Sequence, residues 1–157
     1  MEKNQKRYLS LEEYEDYLRT KEYNKKLHLE LLEAKAKTRS QLSFLQTVID
    51  TLPIPIFYKN AETKFVGFNK EYEMVFDAKR EDLIGKRVLD LDYLPIEDRI
   101  EYQKEDEEVI SKCSSVKKSV LMPYFDGTIR ETIYYVSGFS DYNGTPAGLI
   151  GTFIDIS

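Results

Sequence analysis

Nucleophilic or metal chemistry in this chain would fall to two side chains that lie far apart in sequence. The single histidine, His28, sits in a stretch without Gly or Pro, and the single cysteine, Cys113, comes much later. A Ser-His-Asp or Cys-His arrangement needs its base beside its nucleophile. Neither residue has a partner at metal-ligand spacing. His28 therefore reads as a solvated helix residue, and Cys113 as a small buried or half-buried one. The acids Asp90/Asp92 and Asp106/Glu107/Glu108 are a carboxylate dyad only in principle; they read better as loop caps and a solvated helix face. No glycine-rich phosphate loop precedes a helix. No catalytic residue and no metal site are assigned, and the chain is read as non-enzymatic.

Composition narrows the class. The 157 residues are 41% hydrophobic and 32% charged, which fits one ordinary domain, or a small domain with an extension. A formal net charge of -5 argues against a nucleic-acid surface. One cysteine excludes an internal disulfide and fits a reducing compartment. No apolar run reaches membrane-span length, and Met1-Glu2-Lys3-Asn4-Gln5-Lys6-Arg7 lacks the apolar core of a signal peptide. The expected location is cytoplasmic, with no membrane contact.

Two regions of different character must position whatever function there is. Residues 1–52 contain no Gly or Pro and are dense in Glu, Lys, Leu and Ala, so they predict a helical segment ahead of a domain over 53–157. Ser10-Leu11-Glu12-Glu13 has the form of a capping box. A helix from there to Leu52 would be roughly 60 Å long. Leu27, Leu31, Ala34, Leu45 and Val48, with Leu52, share one a/d register interrupted by Asn24, Thr38 and Gln41. That pattern predicts a coiled-coil seam and a homodimer. Leu11, Tyr14 and Leu18 lie in another phase, so a break or swerve is expected near residues 21–26.

After Pro53 the chain alternates between short signals. Strands are predicted over 54–59 and 64–68, and helices over 70–76, capped by Asn69, and 80–84, ended by Gly85. A longer helix follows from Pro95 to Lys112. Its apolar positions Ile96, Ile100, Val109 and Ile110 leave a gap at Gln103, Asp106 and Glu107. Three strands close the chain over 116–125, 129–136 and 148–157, joined at Asp126-Gly127 and Asn143-Gly144, a strong hairpin pattern.

This order resembles a PAS domain, the small sensory module of signalling proteins, over about residues 43–157. The resemblance rests on Ile56-Phe57-Tyr58-Lys59-Asn60, Asn69, Glu81-Asp82-Leu83-Ile84-Gly85-Lys86, Asp126-Gly127, and the closing Gly148 to Ser157 with Asp155-Ile156-Ser157. It implies an α+β fold, a five-stranded antiparallel sheet in the order 2-1-5-4-3 with helices on one face. Strand 54–58 would then be central, where Pro55 fits only if it precedes the ladder. Asp77-Ala78-Lys79 departs from the small-residue turn usual there.

The resemblance also directs attention to cofactors. Haem-binding relatives place a histidine on the long helix and flavin photosensors a reactive cysteine after the second strand; neither signature is present, and the cofactor stays unknown. A pocket between sheet and helices would be lined by Tyr58, Tyr72, Tyr102, Asp106, Met122, Tyr124 and Tyr135. These side chains either receive a small molecule or fill a core. The expected function is a sensor and dimerisation module of a larger protein, with a histidine kinase or diguanylate cyclase as output. The alternative is a ligand-free assembly module that only pairs output domains through the coil.

Overall fold

The computed structural model describes residues 8–157; the residues read as lacking a signal peptide, 1–7, lie outside it. The described chain divides after Leu45 into a helical unit and a compact unit, Gln46–Ser157. Helix α1, Leu11–Asp50, is one uninterrupted α-helix, so no break occurs at residues 21–26. The capping box forms as its residue types dictate. Glu13 N–H donates to Ser10 Oγ at 3.2 Å, and Ser10 N–H donates to Glu13 Oε2 at 2.8 Å. No residue of α1 is buried; Leu27, Leu31, Ala34, Leu45 and Val48 all stand exposed.

In the compact unit, strands β1 (Ile56–Asn60), β2 (Phe65–Phe68), β3 (Ser115–Pro123), β4 (Ile129–Ser140) and β5 (Pro146–Asp155) form one antiparallel sheet, ordered β2-β1-β5-β4-β3. Between β2 and β3 come α2 (Lys70–Phe76), α3 (Arg80–Leu83), a 3-10 turn at Val88–Asp90, and α4 (Ile96–Lys112). Pro55 precedes the first ladder pair, Ile56 with Thr152, and only its carbonyl is used, by Thr152 Oγ1 at 2.8 Å. A proline is thereby tolerated beside a central strand.

The hairpins form at the Asp-Gly and Asn-Gly sites. Gly127 and Gly144 have φ of 84° and 82°, which glycine adopts without a Cβ clash. Asp126 and Asp141 accept the N–H groups of Thr128 and Asn143, both at 2.9 Å.

The core comprises Phe57, Phe65 and Phe68 from β1 and β2, Val109 and Ile110 from α4, and Tyr134, Val136, Leu149 and Phe153 from β4 and β5, with Leu83, Val88 and Leu91 from the connecting segments. The α4 stripe differs from the one predicted. Ile96 and Ile100 are exposed, while the polar gap is buried: Gln103 and Asp106 join Val109 and Ile110 on the inner side. Asp106 is thus not part of a solvated face. Cys113 is exposed rather than buried. It terminates α4 in the left-handed region, φ 47°, so its side chain leaves the core.

Arg130 on β4 ties the β3–β4 turn to the end of β5. Its guanidinium reaches Asp126 at 2.8 Å and Asp155 at 3.1 Å, and lies 4.3 Å from the Tyr124 ring centroid. Asp155 is held below its ordinary value of 3.8, chiefly by the Ser157 hydroxyl and N–H, with Arg130 assisting. Asp126 is lowered by Thr128 and then by Arg130. A carboxyl depressed in the folded state contributes stability that is present above its unfolded pKa and is lost as pH falls through the folded one. Urea midpoints should therefore drop below about pH 4, and Asp155→Asn should flatten part of that drop.

Candidate ligand cavity

The last turn of α1 anchors the wall from which the cavity is built. Asn69, fully buried, is the N-cap of α2: its Oδ1 accepts from Tyr72 N–H at 3.0 Å and from Ile56 N–H at 2.9 Å. Its Nδ2 donates to the carbonyls of Ile49 at 2.8 Å and Ile54 at 2.9 Å. Lys70 N–H donates to Asp50 Oδ1 at 2.9 Å. One amide thus fixes the end of α1, the start of β1 and the start of α2. That is why the compact unit begins at Gln46, before the helix ends.

Between the sheet and the helices lies a cavity of about 730 Å³. The inner faces of β1 and β2 contribute Phe57, Lys59 and Phe65; α2 contributes Tyr72 and Phe76; α4 contributes Tyr102 and Asp106. Val120 and Met122 of β3, Tyr134 of β4 and Phe153 of β5 complete the floor. The rings pack on one another at tilted angles, Tyr72 and Phe76 with centroids 4.8 Å apart and Tyr134 and Phe153 5.2 Å apart. Burial pushes the phenols of Tyr72 and Tyr134 well above their ordinary value, so both stay neutral. A smaller hollow of about 360 Å³, bordered by Pro53–Pro55, Met74, Phe125 and the Arg130 ion pairs, carries no comparable buried polar group.

The polar focus of the larger cavity is an ion pair between Lys59 Nζ and Asp106 Oδ2, with the two residues 4% and 2% exposed. Lys59 Nζ also lies 4.4 Å from the Phe65 ring centroid and 5.7 Å from that of Phe57. Burial raises the Asp106 carboxyl, and the neighbouring ammonium opposes that shift. Beside the pair, Gln103 Nε2 donates to Thr63 Oγ1 at 2.8 Å and so holds α4 to the β1–β2 turn. Among the described residues, no three of His, Cys, Asp and Glu converge as a metal would require.

Five of the seven side chains expected in the pocket line it: Tyr72, Tyr102, Asp106, Met122 and Tyr124. Tyr58 and Tyr135 do not. Tyr58 pairs with Ile150 and Gly67, and Tyr135 with Thr152 and Lys117, which places both on the opposite face of the sheet. There the Tyr58 ring occupies the space that a side chain on Gly67 would need. Their sequence neighbours Phe57, Lys59 and Tyr134 point inward instead. Lys59 is the polar residue that sequence reasoning missed. Its signal was available: a lysine two residues after Phe57 on a central strand shares that residue's face.

A family model described as PAS fold matches residues 43–156. The chain belongs to the PAS family. PAS domains are sensory rather than catalytic modules, and the sheet order and helical cover described above are those of this fold. A search of curated proteins finds no match. Among solved structures, the PAS domain of Bordetella pertussis BvgS is 22% identical, with a TM-score of 0.64 over 75% of this chain and 88% of that one, a likeness of fold alone. A Vibrio cholerae VqmA dimer in the absence of target DNA, described among DNA-binding LuxR-type receptors, is 28% identical at a TM-score of 0.59, over 75% of this chain and 52% of VqmA. A VqmA structure bound to DPO is likewise 28% identical at 0.59, over 75% and 57%. This PAS chain therefore spans little more than half of the VqmA chains it resembles. Among the described residues, no helix is long and apolar enough to cross a membrane.

Proposed function

We propose that this PAS domain is the small-molecule sensor and dimerisation module of a longer, cytoplasmic signalling protein. The observation that carries the reading is the cavity of about 730 Å³, aromatic-walled and centred on a buried ion pair. A volume of that order suits a small ligand, whereas a core at native density leaves few voids larger than a water. The complex of VqmA with DPO supports the same use of a related chain. The output domain would be a histidine kinase, a diguanylate cyclase or, as with VqmA, a DNA-binding region. The exposed a/d seam at Leu27, Leu31, Ala34, Leu45 and Val48 would pair two copies. Ligand would bias a two-state element through Tyr72 and the Asn69 cap to the last turn of α1.

Native mass spectrometry of the chain purified from producing cells tests this reading. One small molecule per subunit, released on denaturation, is expected, on a dimer. The unburied seam favours a second reading, a ligand-free assembly module. A ligand-free dimer whose melting temperature no compound in a metabolite library raises would establish that reading instead. A monomer at concentrations well above micromolar would remove the seam from both.

A further inference from the structure

Tyr124, Phe125 and Phe153 border both the larger cavity and the hollow of about 360 Å³ beside it. The other walls of the hollow are Ile54 and Pro55, ahead of β1, with Met74 and Val75 of α2. Met74 and Phe125 border it and yet remain 66% and 68% exposed. Phe125 N–H donates to the Val75 carbonyl at 2.9 Å, which ties the β3–β4 turn to α2 and fixes the spacing of these two side chains. A single exposed apolar residue needs no explanation, but two on different elements around one hollow make a patch. We propose that this hollow docks a protein segment presenting one large apolar side chain between lysines or arginines. The docking site needs no ligand in the larger cavity.

Charge selects the flanking residues. Glu71, Asp126 and Asp155 border the hollow against one cation, Arg130. That guanidinium is already engaged: it donates to Thr128 Oγ1 at 3.0 Å and pairs with Asp126 and Asp155. Glu71 is half-buried and forms no ion pair among the described residues. The rim therefore repels nucleic acid and attracts a cationic segment. The exposed apolar groups favour a polypeptide over a small molecule. A compound that filled the hollow would leave the outward sides of Met74 and Phe125 in water, whereas a segment lying across it covers them. Methionine and an aromatic ring within a charged rim match the anchor of a small protein interface. Pro53 and Pro55 stiffen one wall and the Arg130 ion pairs another, so little conformational freedom is lost on docking.

Methyl-detected NMR titration of the full chain with three acetylated, amidated pentapeptides tests the site: Lys-Lys-Leu-Lys-Lys, Lys-Lys-Ala-Lys-Lys and Glu-Glu-Leu-Glu-Glu. The first should shift the methyls of Ile54, Met74 and Val75 and bind about tenfold more tightly than either control. Its binding should weaken as salt is raised, and in Glu71→Gln by up to about fivefold. Met74→Lys sets a cation into the hollow at an exposed helical position. It should abolish the shifts at Ile54 and Val75 while the urea midpoint stays unchanged; shifts retained in this variant would overturn the site. Equal binding of the leucine and alanine peptides would mean charge attraction with the hollow unfilled, and would overturn the apolar anchor. Equal binding of the acidic peptide would overturn the basic partner. Shifts confined to Leu83, Val88 and Val120 would place the peptide in the larger cavity and overturn the docking site alone. Shifts at Ile54, Met74 and Val75 on concentrating the chain without peptide would give the hollow to a second copy and overturn the separate partner. No shift with any peptide would overturn the docking site and leave the sensor reading standing.

Discussion

Asn69→Ala is expected to destabilise the compact unit by about 3–5 kcal/mol, as the sum of a lost N-cap and several buried groups left without partners. The amide makes four hydrogen bonds, two accepted and two donated, which is nearly all that an asparagine can make. Alanine would strand the N–H groups of Ile56 and Tyr72 and the carbonyl of Ile54, and would leave the Ile49 carbonyl only the 3.3 Å bond from Leu52 N–H. No water replaces them without entering a site where Asn69 is itself fully buried. The urea midpoint should fall at unchanged slope, and the melting temperature by about 15 °C or more. Asn69→Asp keeps the two accepted bonds but turns a carboxylate toward two carbonyl oxygens, so it should be no better tolerated. A loss below about 1 kcal/mol, the range of an exposed cap alone, would mean that the four bonds do not act together.

Asp106→Ala should cost about 3–5 kcal/mol, because it leaves the Lys59 ammonium buried without its counter-charge. The double variant Lys59→Met/Asp106→Leu should recover most or all of that loss, since a buried ion pair and an apolar pair of similar volume are often equal in stability. Consistent with this, burial raises the Asp106 carboxyl despite the adjacent cation. The two variants compared by urea denaturation separate the cost of an unpaired buried charge from the net worth of the pair. If the double variant is as unstable as Asp106→Ala, the pair holds the fold together and its place in the cavity is incidental.

Much of this fold is visible in the residues because local chemistry and global packing agree. Asp126-Gly127 and Asn143-Gly144 demand hairpins, Asn69 demands a helix start, and the three terminal strands then require a cover that only α2 to α4 supply. The inner lining was only partly legible, for a geometric reason. Tyr134-Tyr135 and Phe57-Tyr58 are apolar at successive positions, so period-two alternation does not say which member faces the helices. Ladder register decides it, and register belongs to the assembled sheet. The same applies to α4: Gln103 and Asp106 look like breaks in an apolar stripe until Thr63 and Lys59 are seen opposite them. Cys113 shows a further limit. A left-handed helix end is expected of glycine or asparagine, and nothing in the residue type announces it.

The most direct measurement of whether this PAS cavity is a receptor site is its occupancy by a molecule taken from the cell. The chain is purified without denaturation, weighed intact by native mass spectrometry, and compared with the same sample stripped by unfolding and refolding. The predicted result is a loss of one small molecule per subunit, accompanied by shifts in the methyl signals of Leu83, Val88 and Val120 that reverse when the released molecule is added back. Identical masses and identical methyl spectra before and after stripping, with a library of metabolites producing no shift at those methyls, would contradict a sensory role for the cavity.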